Sequence, residues 1–396
     1  MNIAGSPTLG HPTRILSRIF SRIVLVGAVL ATSLAGAAPN WTATASPLPP
    51  HVTPPVSDTP KPTVGVIRWD TWSATNQDSP DVTTLGQPQW RYRLPFYSQV
   101  LSPTTVSIRE DTQAVMDQEI QYASAAGINY WAFDMFGGHE PYGINLYLSS
   151  ARVRDMDFSL ILGHGGVHGL DWYKVTVPEI VSLMKQPTFQ TVQRNRPLLY
   201  IFDPQSWSSE FGSVQGSHNA IDALRTAATA AGLPNPYIVG QVWDAPSGSA
   251  IVDQLGLNAI GGYTHPAAGS NQQYPYSQLA QANQQYWGQG AATGDHVVPV
   301  VNASWDPRPR WEEGNTGDPL GPYYKDPTPA ELAGNLNAAL KWNANNPLTA
   351  NANTVLVYAW NETSEGGANI VPTLSEGTAR LDAIAPVIAK WDARPT

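Results

Sequence analysis

Between residues 64 and 391 the chain alternates short apolar runs with longer stretches whose apolar residues recur at helical spacing. The runs fall at 64–69, 128–133, 158–162, 197–202, 237–243, 259–263, 297–301 and 355–358. They are too short and too rich in β-branched and aromatic residues for helices, and they predict buried strands. Helical patterns lie between them. The first can be capped by Asp111 or Thr112, carries Val115, Ile120 and Tyr122, and stops near Gly127. Others cover 142–155, 176–186, 218–231, 248–255, 276–287, 329–345 and 376–391, with Leu332, Leu336 and Leu340 in register along one face. Alternating β and α predicts a parallel sheet. About eight strand-then-helix units predict a single (β/α)8 TIM barrel over residues 63–396. A doubly wound open sheet is the alternative, but no Gly-rich dinucleotide turn follows an early strand.

Two segments break the alternation. Residues 71–109 form a long polar and Pro-containing excursion with Trp72, Trp90, Tyr92, Phe96 and Tyr97, expected to be a βα loop that walls one side of a site. At the other break, Arg14, Arg18 and Arg22 precede an apolar run from Ile23 to Leu30 and a small-x-small site at Ala35-Gly36-Ala37, with Ala43-Thr44-Ala45 as a second possibility. This predicts a signal peptide over 1–37. An uncleaved anchor is disfavoured by the short, small-residue apolar core. Residues 38–62 hold seven prolines from Pro47 to Pro62 and predict an extended linker. The mature protein is expected to be secreted and extracellular, without stable membrane insertion.

Composition narrows the function. Only 13% of the 396 residues are charged and the net charge is -9, which excludes the basic footprint of a nucleic-acid binder. The absence of cysteine excludes disulfides, thiol nucleophiles, thiolate metal sites and a cysteine-based lipid anchor. Fourteen Trp and sixteen Tyr supply flat faces of the kind that stack on sugar rings, although many must be ordinary packing.

Chemistry in a barrel collects at the C-terminal ends of its strands. The residues there are Trp69 and Asp70, Asp134, His164, Asp203, Trp243 and Asp244, Tyr263 and His265, Trp305 and Asp306, then Trp360, Asn361 and Glu362. Each aspartate alone is equally well an N-cap for the next helix. Glu362 and Glu365 lie three positions apart on a turn ended by Gly366 and Gly367. Two carboxyls this close need not share one pKa, which suits acid/base work at a glycosidic or ester bond. The plain alternative is that both favour the dipole of the following helix. His164 and His168 are four apart, but Gly165 and Gly166 between them argue against a helical zinc site, so no metal is expected. No Gly-x-Ser-x-Gly elbow occurs.

The sequence Trp360-Asn361-Glu362-Thr363-Ser364-Glu365-Gly366 resembles the Asn-Glu-Trp-x-Glu-Gly signature of glycoside hydrolase family 99-like barrels, which include endo-α-mannosidases, α-mannanases and WbsX-type proteins. Residues 115–134 resemble that family's first helix and second strand, and 303–311 its strand-seven loop, so the likeness runs from about 64 to 394. The resemblance implies a glycosidase acting on an α-linked polysaccharide or glycan, endo-acting and retaining, without a cofactor. It implies that Glu362 is the base on the substrate 2-hydroxyl, leading to a 1,2-anhydro sugar, and that Glu365 is the general acid. The other strand-end residues would bind sugar. Thr363 stands where the family usually has Trp, which leaves the sugar open. The rival readings are a carbohydrate-binding protein on the same barrel and a protein of polysaccharide assembly.

Overall fold

The computed structural model describes residues 61–135, 142–163, 172–267, 269–312, 320–367 and 369–392. The expected signal peptide and the linker up to residue 60 lie outside the described residues, as does His164. Eight parallel strands form the central sheet: β1 (Thr63–Arg68), β2 (Tyr130–Met135), β3 (Asp157–Leu162), β4 (Arg196–Phe202), β5 (Tyr237–Gln241), β6 (Ala259–Gly261), β7 (Val300–Asn302) and β8 (Thr354–Tyr358). Their spatial order is β7-β8-β1-β2-β3-β4-β5-β6. The two ends meet where the Ile260 amide donates to the His296 carbonyl (2.8 Å) and the Val298 amide to the Ile260 carbonyl (2.9 Å). The ring is a (β/α)8 barrel.

The alternation of side chains along each strand decides what faces inward. Tyr130 and Ala132 of β2, Leu198, Tyr200 and Phe202 of β4, Tyr237 and Val239 of β5, and Leu356 and Tyr358 of β8 pack in one interior cluster. Trp131, Phe133, Leu199, Ile201, Val355 and Val357 pack outward against the helices. Both faces are therefore apolar, which is why the strands read as continuous hydrophobic runs. Low in the barrel the Tyr130 hydroxyl meets those of Tyr200 (2.7 Å) and Thr354 (2.9 Å). Its ring occupies the space beside Gly65, where a Cβ would come within 2.0 Å of ring carbon Cζ.

The helices are α1 (Gln113–Ala125), α2 (Tyr142–Ser149), α3 (Val177–Met184), α4 (Val214–Ala230), α5 (Ala245–Gln254), α6 (Tyr276–Thr293), α7 (Pro329–Asn345) and α8 (Ala379–Asp392). Among the described residues no helix is long and apolar enough to cross a membrane. Several bounds differ from the pattern for local reasons. β5 stops at Gln241 because Asp244 has turned to cap α5, its side chain accepting the Ser247 amide. β7 begins only after Pro299, which has no amide to give a neighbour. α6 runs on to a left-handed Gly294, φ 92°.

The excursion after β1 is ordered and walls one side of the barrel mouth. It contains a short helix, Pro80–Leu85, and a hairpin pairing Ser98–Val100 with Val106–Ile108. Arg93, fully buried, pins it across the mouth: one nitrogen donates to the Asp306 carbonyl (2.8 Å), another pairs with the Asp306 carboxylate, and the guanidinium covers Trp90.

Candidate active site

After β8 the chain makes a tight turn whose backbone is tied down on both sides. The Trp360 amide donates to the Ile67 carbonyl (2.7 Å), the Gly366 amide to the Glu362 carbonyl (2.7 Å), and the Asp306 amide to the Glu365 carbonyl (3.0 Å). Asn361 clasps Trp69, accepting its amide at 3.0 Å and donating to its carbonyl at 2.7 Å. Closing the turn from 362 to 366 brings the side chains of Glu362 and Glu365 together. Parity does the rest, because Asp134 follows Tyr130 and Ala132 on the inward face of β2.

Five oxygen-bearing side chains then form a chain of contacts. The Tyr263 hydroxyl lies 2.7 Å from Asp134 Oδ2 and in short contact with Glu362 Oε1. The Tyr358 hydroxyl lies 3.2 Å from Glu362 Oε2 and 3.4 Å from Glu365 Oε1. Glu365 Oε2 closes on Arg310 Nη1 at 2.6 Å. Asp134 Oδ1 is buried without a hydrogen-bond partner among the described residues, an acceptor facing inward.

A proton count limits the contacts this chain can fill. Each hydroxyl has one proton, so the two tyrosines can donate to two of these oxygens at a time, and a proton on a carboxyl would satisfy a third contact. Burial pushes the Glu362 carboxyl well above the usual range, and the adjacent Glu365 pushes the same way. Burial also raises Asp134. Both tyrosines, raised by burial and by the neighbouring carboxyls, keep their protons. The pair is asymmetric: Glu362 is buried among tyrosines, whereas Glu365 is partly open and carries a cation.

Trp69, Trp243 and Trp305 are half-buried near the same strand ends. Trp69 lies beneath Arg310 (5.4 Å), Trp243 stands edge-on to Phe202 (5.6 Å), and Trp305 packs near Tyr358 (6.0 Å). The remaining expected sugar ligands have the following surroundings. Asp244 is an exposed helix cap. Asp306 is committed to Arg93 and Arg308. Asp70 pairs with Arg68 (2.9 Å) and accepts the Gly143 amide (3.1 Å). Trp360 is fully buried outside the barrel, edge-on to Trp131 with its Nε1 on Glu119 (2.8 Å), and Asn361 is fully buried against Trp69 and Glu110. His265 stacks on Tyr286 (4.1 Å), and burial pushes it down to about 4. Asp203 is buried at the end of β4 with φ 41°, its carbonyl accepting Ser206.

Tyr358 and Arg310 are the site residues that the sequence pattern leaves without a role. The inward parity of β8 was a signal for Tyr358; nothing local marks Arg310. Among the described residues no group of three or more His, Asp or Glu side chains could hold a metal ion.

No protein-family model matches the chain, and no curated protein does. Solved structures do. The endo-α-mannosidase of Bacteroides thetaiotaomicron, in complex with bis-tris-propane, superposes with a TM-score of 0.52 at 13% identity, over 84% of this chain and 98% of that one. A second structure of the Bacteroides thetaiotaomicron endo-α-mannosidase gives 0.49 at 12% identity, over 83% and 97%. What this chain shares with the first of these is the fold, a (β/α)8 barrel, carried by a far-diverged sequence.

Proposed function

We propose that the protein is a secreted glycoside hydrolase that cleaves an α-linked polysaccharide or glycan internally and with retention. The observation that carries this reading is the Glu362–Tyr358–Glu365 contact at the C-terminal mouth of the barrel, with one carboxyl buried and the other partly open. Half-buried Trp69, Trp243 and Trp305 near the same strand ends are the aromatic faces that this reading offers to sugar. Export rests on the sequence pattern at 1–37 alone.

The chemistry follows the scheme that the family resemblance implies. Glu362 takes the proton of the substrate 2-hydroxyl, that oxygen bonds to the anomeric carbon, and the bond to the leaving sugar breaks as Glu365 protonates its oxygen. Water then opens the 1,2-anhydro sugar, giving its proton to Glu365, while Glu362 returns a proton to the 2-oxygen. Burial favours a proton on Glu362 in the free site, whereas the acid step needs one on Glu365. The contact between the two carboxyls, with Tyr358 beside both, offers a short route.

The test is incubation of the mature domain with a panel of α- and β-linked polysaccharides, products being read by chromatography. Release of oligosaccharides from an α-linked member is expected. Glu365→Gln should lower turnover of substrates with poor leaving groups by about 100- to 10,000-fold, the usual weight of a general acid, with binding retained. Binding without release by the wild type would favour the carbohydrate-binding reading instead.

A further inference from the structure

Arg310 stands where three segments meet. Its guanidinium reaches Glu365 Oε2 (2.6 Å) on the turn after β8 and Asp81 Oδ1 (2.7 Å) on the wall of the mouth. It also reaches Ser364 Oγ, from Nε at 3.1 Å and Nη2 at 3.0 Å. Ser364 Oγ in turn donates to Asp81 Oδ1 at 3.2 Å, which leaves the serine lone pairs to accept the guanidinium. A planar fork held on three sides in this way is fixed in orientation as well as in charge. Arg310 is largely buried, with 11% of its side chain exposed, so solvent screens the pair with Glu365 only weakly. Glu362, by contrast, contacts two tyrosine hydroxyls and no cation among the described residues.

We propose that Arg310 is a positioning residue that decides which of the two glutamates holds the shared proton, and that Asp81 sets the strength of its hold on Glu365. The groups that face Glu365 are Arg310 from the loop after β7, Tyr358 from β8, Glu362 from its own turn and Asp134 from β2. Arg310 is the cation among them, and it favours the ionised form. Asp81 draws on the same guanidinium from the far side and weakens that effect. This inference rests on the proposed role of Glu365 as general acid, which requires Glu365 to gain a proton in spite of Arg310.

The signs of the two effects are opposite. A general acid is lost as pH rises and the coupled pair gives up its shared proton, so the alkaline limb of the rate profile reports the Glu362/Glu365 pair and not either residue alone. Arg310→Gln removes the cation that favours the doubly ionised pair and moves the limb to higher pH. Asp81→Asn frees the guanidinium for Glu365 and moves the limb to lower pH. A merely structural loss would lower the rate without moving the limb in opposite directions.

Infrared titration of the protonated-carboxyl band of the pair, identified by its loss in the Glu362→Gln/Glu365→Gln double variant, reads the same effect without any substrate. The band should titrate at higher pH in Arg310→Gln than in the wild type, and at lower pH in Asp81→Asn. An unmoved band, or movement in one direction in both variants, overturns the proposal. A wild type that hydrolyses no polysaccharide would overturn the enzymatic reading, while the infrared result still decides the role of Arg310. Should Arg310→Gln fail to fold, Asp81→Asn, at a side chain 20% exposed, carries the test alone.

Discussion

At the scale of residues, the site depends on an oxygen that belongs to neither glutamate. The Tyr358 hydroxyl lies against both Glu362 and Glu365 and has one proton to offer them. Tyr358→Phe keeps the ring against Tyr263 and Trp305 but leaves Glu362 with one hydroxyl partner fewer in a buried place. A hydrogen bond to a charged group contributes about 1.5–3 kcal/mol, so kcat should fall roughly 10- to 150-fold with a small change in KM. Steady-state kinetics beside a melting curve checks this; an unchanged kcat would remove Tyr358 from the proton path. The glutamate pair itself was legible, because a Gly-ended turn after a β-branched run leaves two carboxyls few places to go. The aspartates were not. Asp134 and Asp244 both follow apolar runs in the sequence, yet Asp134 lies within β2 and turns into the barrel while Asp244 lies beyond β5 and caps a helix.

At the scale of elements, all eight strands were legible because parallel strands covered on both faces read as unbroken apolar runs. Helices were legible where caps and apolar spacing agree, and α7 is the clearest. Thr328 accepts the Glu331 amide while the Glu331 carboxylate accepts the Thr328 amide (2.8 Å), so two otherwise unpaired amides are satisfied reciprocally. Thr328→Ala should cost about 1 kcal/mol of stability in urea denaturation while leaving the site untouched. A loss near zero would mean that packing of Leu332, Leu336 and Leu340 alone fixes where α7 begins. The segment 71–109 was legible only as a loop. Its order comes from Arg93 and Asp306, which are 213 positions apart, and no local pattern announces such a pairing.

At the scale of the whole molecule, the barrel mouth is tied together by a buried knot of charge. Arg68 at the end of β1 meets Asp70 (2.9 Å), Glu110 (3.5 Å) and Glu119 on α1 (2.8 Å), all four shielded from water. Glu110 and Glu119 continue to Asn361 and Trp360, so the knot holds the turn that carries Glu362 and Glu365. One cation cannot balance three carboxylates there. Burial pushes Asp70 and Glu119 up to about 7, although Arg68 opposes it. In the unfolded chain both would titrate near 4, roughly their ordinary values. From about pH 4 to 7 the folded protein therefore binds protons that the unfolded chain has lost, and stability falls as pH rises through that window. Asp134 and Glu362 act in the same sense, and so does Asp157, raised to about 6 by burial. His265 opposes them with one group, since its folded value near 4 lets the unfolded chain bind the extra proton below about pH 6.5. Asp111 and Glu331, both lowered, act only below about pH 4, where unfolded carboxyls take up protons. The balance favours the carboxyls, so Tm should decline from pH 4.5 to 7.5. Glu119→Gln keeps an acceptor for Trp360 but removes a titrating group. It should lower Tm at acid pH and flatten the decline, whereas an unchanged slope would show that Arg68 holds Glu119 ionised throughout.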